Sequence, residues 1–163
     1  MVENKTWTTI DKTGWGDGPW QAEPDKEQWT DKATGLPCLI KRNDLGALCG
    51  YVGVPEGHPW FGKDYDDIQA ADVHGGLTYA GICQEGPEDK TICHIPAPGE
   101  PDQMWWLGFD CNHCMDIAPG MKAHMTAIGL GQSLYPFGEC YRTISYVKAE
   151  CARLAEQAAA AVA

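Results

Sequence analysis

The chain has 163 residues, 44% of them hydrophobic and 21% charged. This composition excludes wholesale disorder and predicts a single domain over residues 1–163. Twelve basic side chains against 23 acidic ones give a net charge of −11, which argues against a nucleic-acid or anionic-membrane surface. No apolar run approaches the roughly 20 residues of a membrane span and no apolar signal core opens the chain, so we expect a cytoplasmic protein.

The N-terminal segment, residues 1–36, is expected to be rich in loops. Its four tryptophans lie among glycine, aspartate and proline, a pattern typical of loops and short strands that cover a core with aromatic side chains. One helical turn is predicted from Asp25 to Trp29, directly after Pro24.

Strands are predicted in the middle of the chain. Two apolar runs within residues 37–54 flank a turn at 42–46 and predict a β-hairpin. Residues 76–83 and 104–111 predict two further strands, and residues 91–96 a weaker one. Residues 115–138, rich in methionine, glycine and proline, have no predicted element.

A long helix is predicted over residues 139–160. Apolar residues at spacings of three and four form one stripe, consisting of Ile144, Val147, Cys151, Leu154 and Ala158. The polar residues between them, Lys148, Glu150, Arg153 and Gln157, are expected to face solvent. The fold class is therefore α+β, a mostly antiparallel sheet with this helix packed on it and tryptophan-rich N-terminal loops. The alanine-rich tail is expected to fray.

Nearly all of the negative charge lies in residues 56–116. This stretch has twelve acidic and two basic residues and carries −10, whereas the other 102 residues carry −1. Four of the five histidines lie there too. Like charges repel, so the acids either lie on solvated loops or surround a bound cation or cationic ligand.

The eight cysteines are expected to be mostly free thiols, because no export signal indicates an oxidising compartment. Cys38, Cys49 and Cys151 lie in apolar patterns and are expected in the core. Cys111 and Cys114 have the C-x-x-C spacing that can hold zinc, but a strong zinc signal requires a second such pair.

The segment from Asp110 to Asp116 is the leading candidate for a functional site. It follows a predicted strand, where loops on a rigid scaffold carry function. Asp110, His113 and Asp116 are each three residues apart, so one helical turn would place them on one face. They could bind a divalent cation or orient His113 as a general base. The alternative is a helix cap beside a solvated histidine.

His74 is a second candidate, because it precedes two glycines. Gly75 and Gly76 either let the backbone approach a ligand closely or simply turn the chain into the next strand.

Four stretches of the chain resemble small accessory proteins of tailed phages and prophages, a family that brings no assigned activity. They are TGLPCLIKRNDLGALCGYVGVPEGHPW, VHGGLTYAG, WWLGFDCNHCMDIAPG and YRTISYVKAECARLAEQ, and the likeness runs over roughly residues 14–157. Cys114 departs from the family phrase, which weakens the zinc interpretation. The resemblance implies a virus-encoded protein in bacterial cytoplasm that counters host defence, by sequestering or degrading a nucleotide signal or by blocking a host protein.

Three functions follow as hypotheses, and the sequence assigns no cofactor with certainty to any of them. The first is a binding protein that sequesters a small polar or nucleotide-type ligand between aromatic walls that include Trp60. A homo-oligomer is one of the states expected for this protein. Its expected ligand-binding residues are His74, Thr78, Tyr79, Trp105, Trp106, Asp110, His113 and Asp116. The second is a hydrolase of a nucleotide or phosphoester that uses a divalent metal, with Asp66, Asp67, His113 and Asp116 as metal ligands and His74 beside them. The third is an inhibitor that contacts a host protein directly.

Overall fold

The computed structural model describes residues 1–132 and 138–161, which form a six-stranded antiparallel sheet and two α-helices. The strands are β1 (Lys5–Trp7), β2 (Lys26–Thr30), β3 (Pro37–Arg42), β4 (Leu48–Val54), β5 (Tyr79–Ile82) and β6 (Trp105–Asp110), in the order β1-β2-β3-β4-β6-β5. The helices are α1 (Pro119–Ala127) and α2 (Ile144–Ala160), and α2 packs on β3 and β4. The predicted α+β class is confirmed. None of the described helices is long and apolar enough to cross a membrane.

The predicted hairpin is confirmed as β3 and β4, which pair antiparallel. In the turn between them, the Asn43 side chain accepts the backbone N–H groups of Leu45 and Ala47 at 3.0 Å. Such local bonds favour asparagine in turns. The two further strands are confirmed as β5 and β6, each one to three residues shorter at its ends than predicted.

The helical turn predicted from Asp25 to Trp29 is wrong, because this segment forms β2 between β1 and β3. Lys26 and Gln28 are buried and donate to backbone carbonyl oxygens of residues 93 and 95. Glu27 points to the other face and pairs with Lys148 of α2. Contacts with distant segments therefore override the local helix signal.

The weaker strand predicted at 91–96 does not form. Ile95 instead donates its backbone N–H to the Gln28 side chain at 2.8 Å and accepts from the same side chain at 3.2 Å. Its polar backbone groups are thus satisfied without a neighbouring strand. A disulfide joins Cys83 to Cys93, and the other six cysteines are free, so the prediction of mostly free thiols is confirmed, although this bridge was not predicted.

Helix α2 begins at Ile144 rather than at residue 139. Cys140 forms a backbone bridge with Asp116, so the chain before the helix is extended. The Thr143 hydroxyl then accepts the backbone N–H of Tyr146 at 3.3 Å, which caps the first turn.

The predicted apolar stripe of α2 is confirmed, since Val147, Cys151, Leu154 and Ala158 are fully buried. The prediction that Glu150 faces solvent is wrong, because this residue is only 7% exposed. Glu150 accepts hydrogen bonds from the backbone of residue 74 and from Arg153, and these bonds offset the cost of burying its charge.

The sheet has two covered faces. On the face toward α2, Leu107 and Phe109 pack with the apolar stripe of the helix. On the second face, Leu39, Tyr51 and Trp106 lie beneath residues of the 83–104 segment. Successive strand residues alternate between these faces, so neighbours in β6 belong to different cores.

The N-terminal segment is fixed to the sheet by the buried carboxylate of Asp25. It lies 2.7 Å from Lys12 Nζ and 2.9 Å from Arg42 Nε. It also accepts the backbone N–H groups of Thr9 and Ile10 at 2.8 Å. The N-terminal segment has little secondary structure, and these buried ion pairs and hydrogen bonds hold it against the sheet.

Helix α1 lies within residues 115–138, for which no element is predicted. Residues 133–137 of that stretch lie outside the described residues, as do residues 162 and 163 of the tail that is predicted to fray.

Candidate functional site

A cavity of about 430 Å³ opens on the second face of the sheet, at the end of β6. Strand β4 contributes Cys49 and Tyr51, and β5 contributes Tyr79. Gly108 lies opposite both tyrosines, and a Cβ there would lie 2.3 Å from the Tyr51 ring. The missing side chain therefore gives the tyrosines room to meet edge to face, with ring centroids 5.6 Å apart. The lining residues are Asn43, Cys49, Tyr51, Thr78, Tyr79, Phe109, Asp110, Asn112 and His113.

Asp110 is the acidic side chain of this cavity. Its carboxylate accepts the Thr78 hydroxyl and the Asn112 backbone N–H, both at 3.0 Å. The His113 Nε2 atom lies 3.4 Å from the same carboxylate. No lysine or arginine belongs to the lining, so the cavity has negative to neutral charge.

The nucleophilic groups of the cavity are held in their protonated forms. Burial raises the pKa of the Cys49 thiol to about 11, and the nearby Asp110 charge adds to the effect. Burial also raises the pKa of the Tyr51 and Tyr79 hydroxyls. At neutral pH the thiol and both phenols are therefore neutral.

His74 lies behind the cavity in a hydrogen-bonded network. Its Nε2 is 2.7 Å from Asp116 and its Nδ1 is 2.8 Å from the Tyr146 hydroxyl. Because a carboxylate can only accept, we assign the proton to Nε2, and Nδ1 then accepts from the phenol. This network joins the 72–78 loop to α2.

Asp116 connects that network to the loop after β6. Its side chain is 1% exposed and also accepts Arg142 Nε at 3.0 Å and the His113 backbone N–H at 3.1 Å. Burial raises the pKa of Asp116, but the bonds from His74, Arg142 and the His113 amide outweigh it and the net shift is downward. Asp116 is therefore an anion that fixes three segments of the chain.

The His113 ring packs directly on the backbone at Gly75. A Cβ at Gly75 would lie 2.1 Å from His113 Nε2. This atom is buried and has no aligned hydrogen-bond partner among the described residues. Two residues later, Met115 has a φ of +73°, the one positive value outside glycine in the described chain. Strained backbone of this kind clusters at functional sites.

Four of the eight predicted ligand-binding residues lie together in the cavity lining: Thr78, Tyr79, Asp110 and His113. His74 and Asp116 lie next to His113, since the two histidine rings are 5.8 Å apart. These two position the cavity wall rather than line it.

The three tryptophans expected as walls lie elsewhere. Trp106 is 0% exposed in the second core, and Trp60 is buried in the core toward α2. Trp105 points to the α2 face, where its ring nitrogen donates to the Lys63 carbonyl at 2.9 Å. Strand alternation separates Trp105 from Trp106, so the two could not have formed one wall.

The four residues predicted as metal ligands do not form one cluster, although His113 and Asp116 are neighbours. Asp66 and Asp67 are exposed on the 3-10 turn Tyr65–Asp67. Within residues 1–132 and 138–161, no group of potential metal ligands contains them, His113 or Asp116, nor the C-x-x-C pair.

Sequence reasoning missed Tyr51, Arg142, Tyr146 and Glu150. Tyr146 and Glu150 are four residues apart, a spacing that places them on one side of α2, whereas Arg142 lies just before the helix. Tyr51 alternates with the apolar positions of β4, which assigns it to the opposite face of the sheet.

A larger cavity, of about 560 Å³, lies between α1 and the 3-10 turns at residues 13–21. Trp15, Trp20 and Pro119 dominate its walls, and its charged groups are Asp17 and Lys122. Ligand sites combine apolar walls with a few convergent polar groups. The sheet cavity fits that description better, because Asp110, Thr78 and His113 converge there.

No protein-family model, curated protein or solved structure matches this chain.

Proposed function

We propose that this protein binds a small polar ligand of neutral or positive charge in the sheet cavity and holds it without converting it. The observation that carries the proposal is the convergence of Thr78, Tyr79, Asp110 and His113, from two separate segments, on one cavity with aromatic walls. A rigid sheet supplies the walls and two loops supply the polar groups.

The charge of the lining narrows the ligand class. A phosphate would approach the Asp110 carboxylate with no lysine or arginine of the lining to compensate, and like charges at close range repel strongly in a partly buried site. An amine or an N–H group would instead donate to Asp110. A cation could also lie over the Tyr51 or Tyr79 ring. Among the ligands expected from the sequence, the small polar class is therefore favoured over nucleotides.

The protonation states support holding over conversion. A nucleophile requires a lowered pKa or an adjacent base, and the pKa values of Cys49, Tyr51 and Tyr79 are all raised. Among the described residues no cluster of potential metal ligands joins Asp66 or Asp67 to His113, so we favour the binding protein over the metal-dependent hydrolase. In the phage context that the resemblance implies, such a protein would sequester a signal in the cytoplasm of the infected bacterium.

The test is a binding series that separates ligand charge from ligand shape. Spermidine, adenosine and AMP are titrated into the protein by calorimetry, with thermal shift as a second readout. Adenosine and AMP differ by one phosphate, so the proposal predicts that AMP binds more weakly than adenosine. Spermidine tests the cationic class directly. Stronger binding of AMP than of both other compounds would contradict the proposal.

Asp110→Asn is the matching variant for the probe that binds. It removes the charge and keeps the shape, so the loss of a charged hydrogen bond should cost about 1.5–3 kcal/mol, or roughly 10- to 100-fold in Kd. Asp102→Asn is the control, because Asp102 is exposed, lies outside the lining and changes the net charge equally. An equal loss in both variants would indicate general electrostatic attraction instead of a site.

A further inference from the structure

We propose that Cys83, Cys93 and His94 form a binding site for Zn²⁺ when the Cys83–Cys93 disulfide is reduced. This site lies in the segment that covers the second face of the sheet and is separate from the lining of the sheet cavity.

The buried imidazole of His94 points to a ligand. His94 is 5% exposed, and neither ring nitrogen has a hydrogen-bond partner within residues 1–132 and 138–161. The ring contacts Trp106 edge to face, with centroids 5.2 Å apart, so its orientation is fixed by packing. Buried polar atoms almost always have a partner, and an imidazole with two unpaired nitrogens is therefore exceptional.

The three side chains already converge. One ligand atom from each of Cys83, Cys93 and His94 lies within 4.8 Å of the other two, and no other group of the described residues meets this condition. Tetrahedral zinc holds two sulfurs about 3.8 Å apart and a sulfur and a nitrogen about 3.5 Å apart. Opening the sulfur pair after reduction therefore suffices to complete this part of the coordination sphere.

The donor types select the metal. Thiolates with an imidazole suit Zn²⁺, whereas Mg²⁺ and Ca²⁺ require oxygen ligands. An imidazole binds metals in its neutral form, through either ring nitrogen. The Trp106 ring N–H lies 3.3 Å from Cys83 Sγ and can stabilise a thiolate there.

An ion can reach the site from solvent. A cavity of about 360 Å³ is lined by Cys93 and His94 together with Glu85 and Glu88. Three protein ligands leave the fourth tetrahedral position to a water molecule supplied through this cavity.

Reduction of the Cys83–Cys93 disulfide by a dithiol reductant frees both sulfurs for zinc. A dithiol reductant donates two electrons and two protons, the S–S bond breaks into two thiols, and the reductant closes into its own cyclic disulfide. Zn²⁺ then replaces the two thiol protons, which go to solvent. The disulfide and the zinc site are therefore alternative states of the same sulfur pair.

The experiment maps which thiols zinc protects in the whole protein. The chain is reduced with dithiothreitol, exchanged without oxygen into reductant-free buffer, and treated briefly with iodoacetamide with and without ZnCl₂. Peptide mass spectrometry should show that zinc slows the alkylation of Cys83 and Cys93, while the exposed thiols Cys114 and Cys140 react at unchanged rates. Protection of Cys111 and Cys114 instead, or of no cysteine, would overturn the proposal.

Zinc affinity in variants provides the second arm, measured by competition with a chromophoric chelator. Outer-shell partners alone are worth about 10- to 100-fold in metal affinity, so His94→Gln, which removes a direct ligand, should weaken binding by more than about tenfold. Cys114→Ala should bind one equivalent as the parent does. The oxidised parent should bind none at this site, and equally tight binding by oxidised and reduced protein would refute the mechanism. Alkylation of the parent decides the question if His94→Gln does not fold.

Discussion

Replacing Gly75 with alanine tests whether His113 is held against the loop that carries His74. Gly75 has a φ of +68°, and a Cβ there would lie 2.1 Å from His113 Nε2. Gly76 is a matched control, because its φ is +81° and a Cβ there would have nothing within 4 Å. The two substitutions therefore share the backbone penalty and differ in the contact with His113.

The expected magnitudes follow from these two terms. An L-residue in the left-handed region costs about 1–2 kcal/mol, and both variants carry this cost. Overpacking against His113 adds about 1–3 kcal/mol in Gly75→Ala alone. Urea denaturation at pH 7 should therefore find Gly75→Ala less stable than Gly76→Ala by about 1–3 kcal/mol. For a chain of this size, each kcal/mol corresponds to about 2–4 °C in Tm.

The His113→Ala background isolates the contact. The His113 ring is partly exposed and makes no aligned hydrogen bond at Nε2, so His113→Ala should keep a Tm near that of the parent and lose ligand binding. In this background the extra cost of Gly75→Ala should disappear, because the atom it would meet is gone.

Two results would refute this geometry. Equal costs for Gly75→Ala and Gly76→Ala would show that the His113 ring does not pack on Gly75. An extra cost that persists in the His113→Ala background would show that the clash at Gly75 involves something else.

Three further predictions concern stability and the thiols. Asp25→Asn should cost about 3–5 kcal/mol in urea denaturation, because it leaves Lys12 and Arg42 buried without their anion, whereas Asp66→Asn on an exposed turn should change little. Burial raises the pKa of Asp25, but its bonds to Lys12, the two amides and Arg42 lower it overall. The stability that Asp25 contributes is therefore present above its unfolded pKa of about 3.9 and is lost as the pH falls through its lower folded pKa. In an acid titration, Asp25→Asn should lose less free energy of unfolding than the parent, and an equal loss would contradict the assignment. Cys151→Ser places a hydroxyl in the core and should cost about 1–3 kcal/mol while the folded fraction still binds ligand. Thiol labelling of denatured, unreduced protein should add six labels per chain, and eight would exclude the disulfide.

The parts of the fold that the sequence predicted are those with local signals. The hairpin has its turn residues between its strands, and α2 has its apolar stripe within one continuous segment. The strand β2 was missed because the partners of Lys26 and Gln28 lie more than 60 residues away. No local pattern indicates that a charged side chain will be buried by a distant loop.

The residues of the candidate site also divide into those with a local sequence signal and those placed by distant contacts. Asp110 and His113 were predicted because a loop after a strand is a visible feature, and Tyr79 was predicted as an aromatic wall of the same pocket. Tyr51 was missed because it joins them only through the pairing of β4 with β6. The tryptophans were predicted as walls from their number, although composition cannot say which aromatic side chains the 83–104 segment covers.

The acidic stretch of residues 56–116 has a physical explanation in the fold. Four of its acids pair with positive charges that lie outside the stretch: Asp72 with Arg153, Asp116 with Arg142, Glu88 with Lys5, and Glu100 with the N-terminal amine. Others, such as Asp64, Asp66, Asp67 and Glu85, are exposed to solvent, which screens them. Folding therefore compensates four of these charges, because it brings Arg142, Arg153 and the N-terminus against this stretch, and solvent screens the exposed acids. Within the sheet cavity the acidic side chain is Asp110, so the ligand class follows from the lining of that cavity and not from the net charge of the chain.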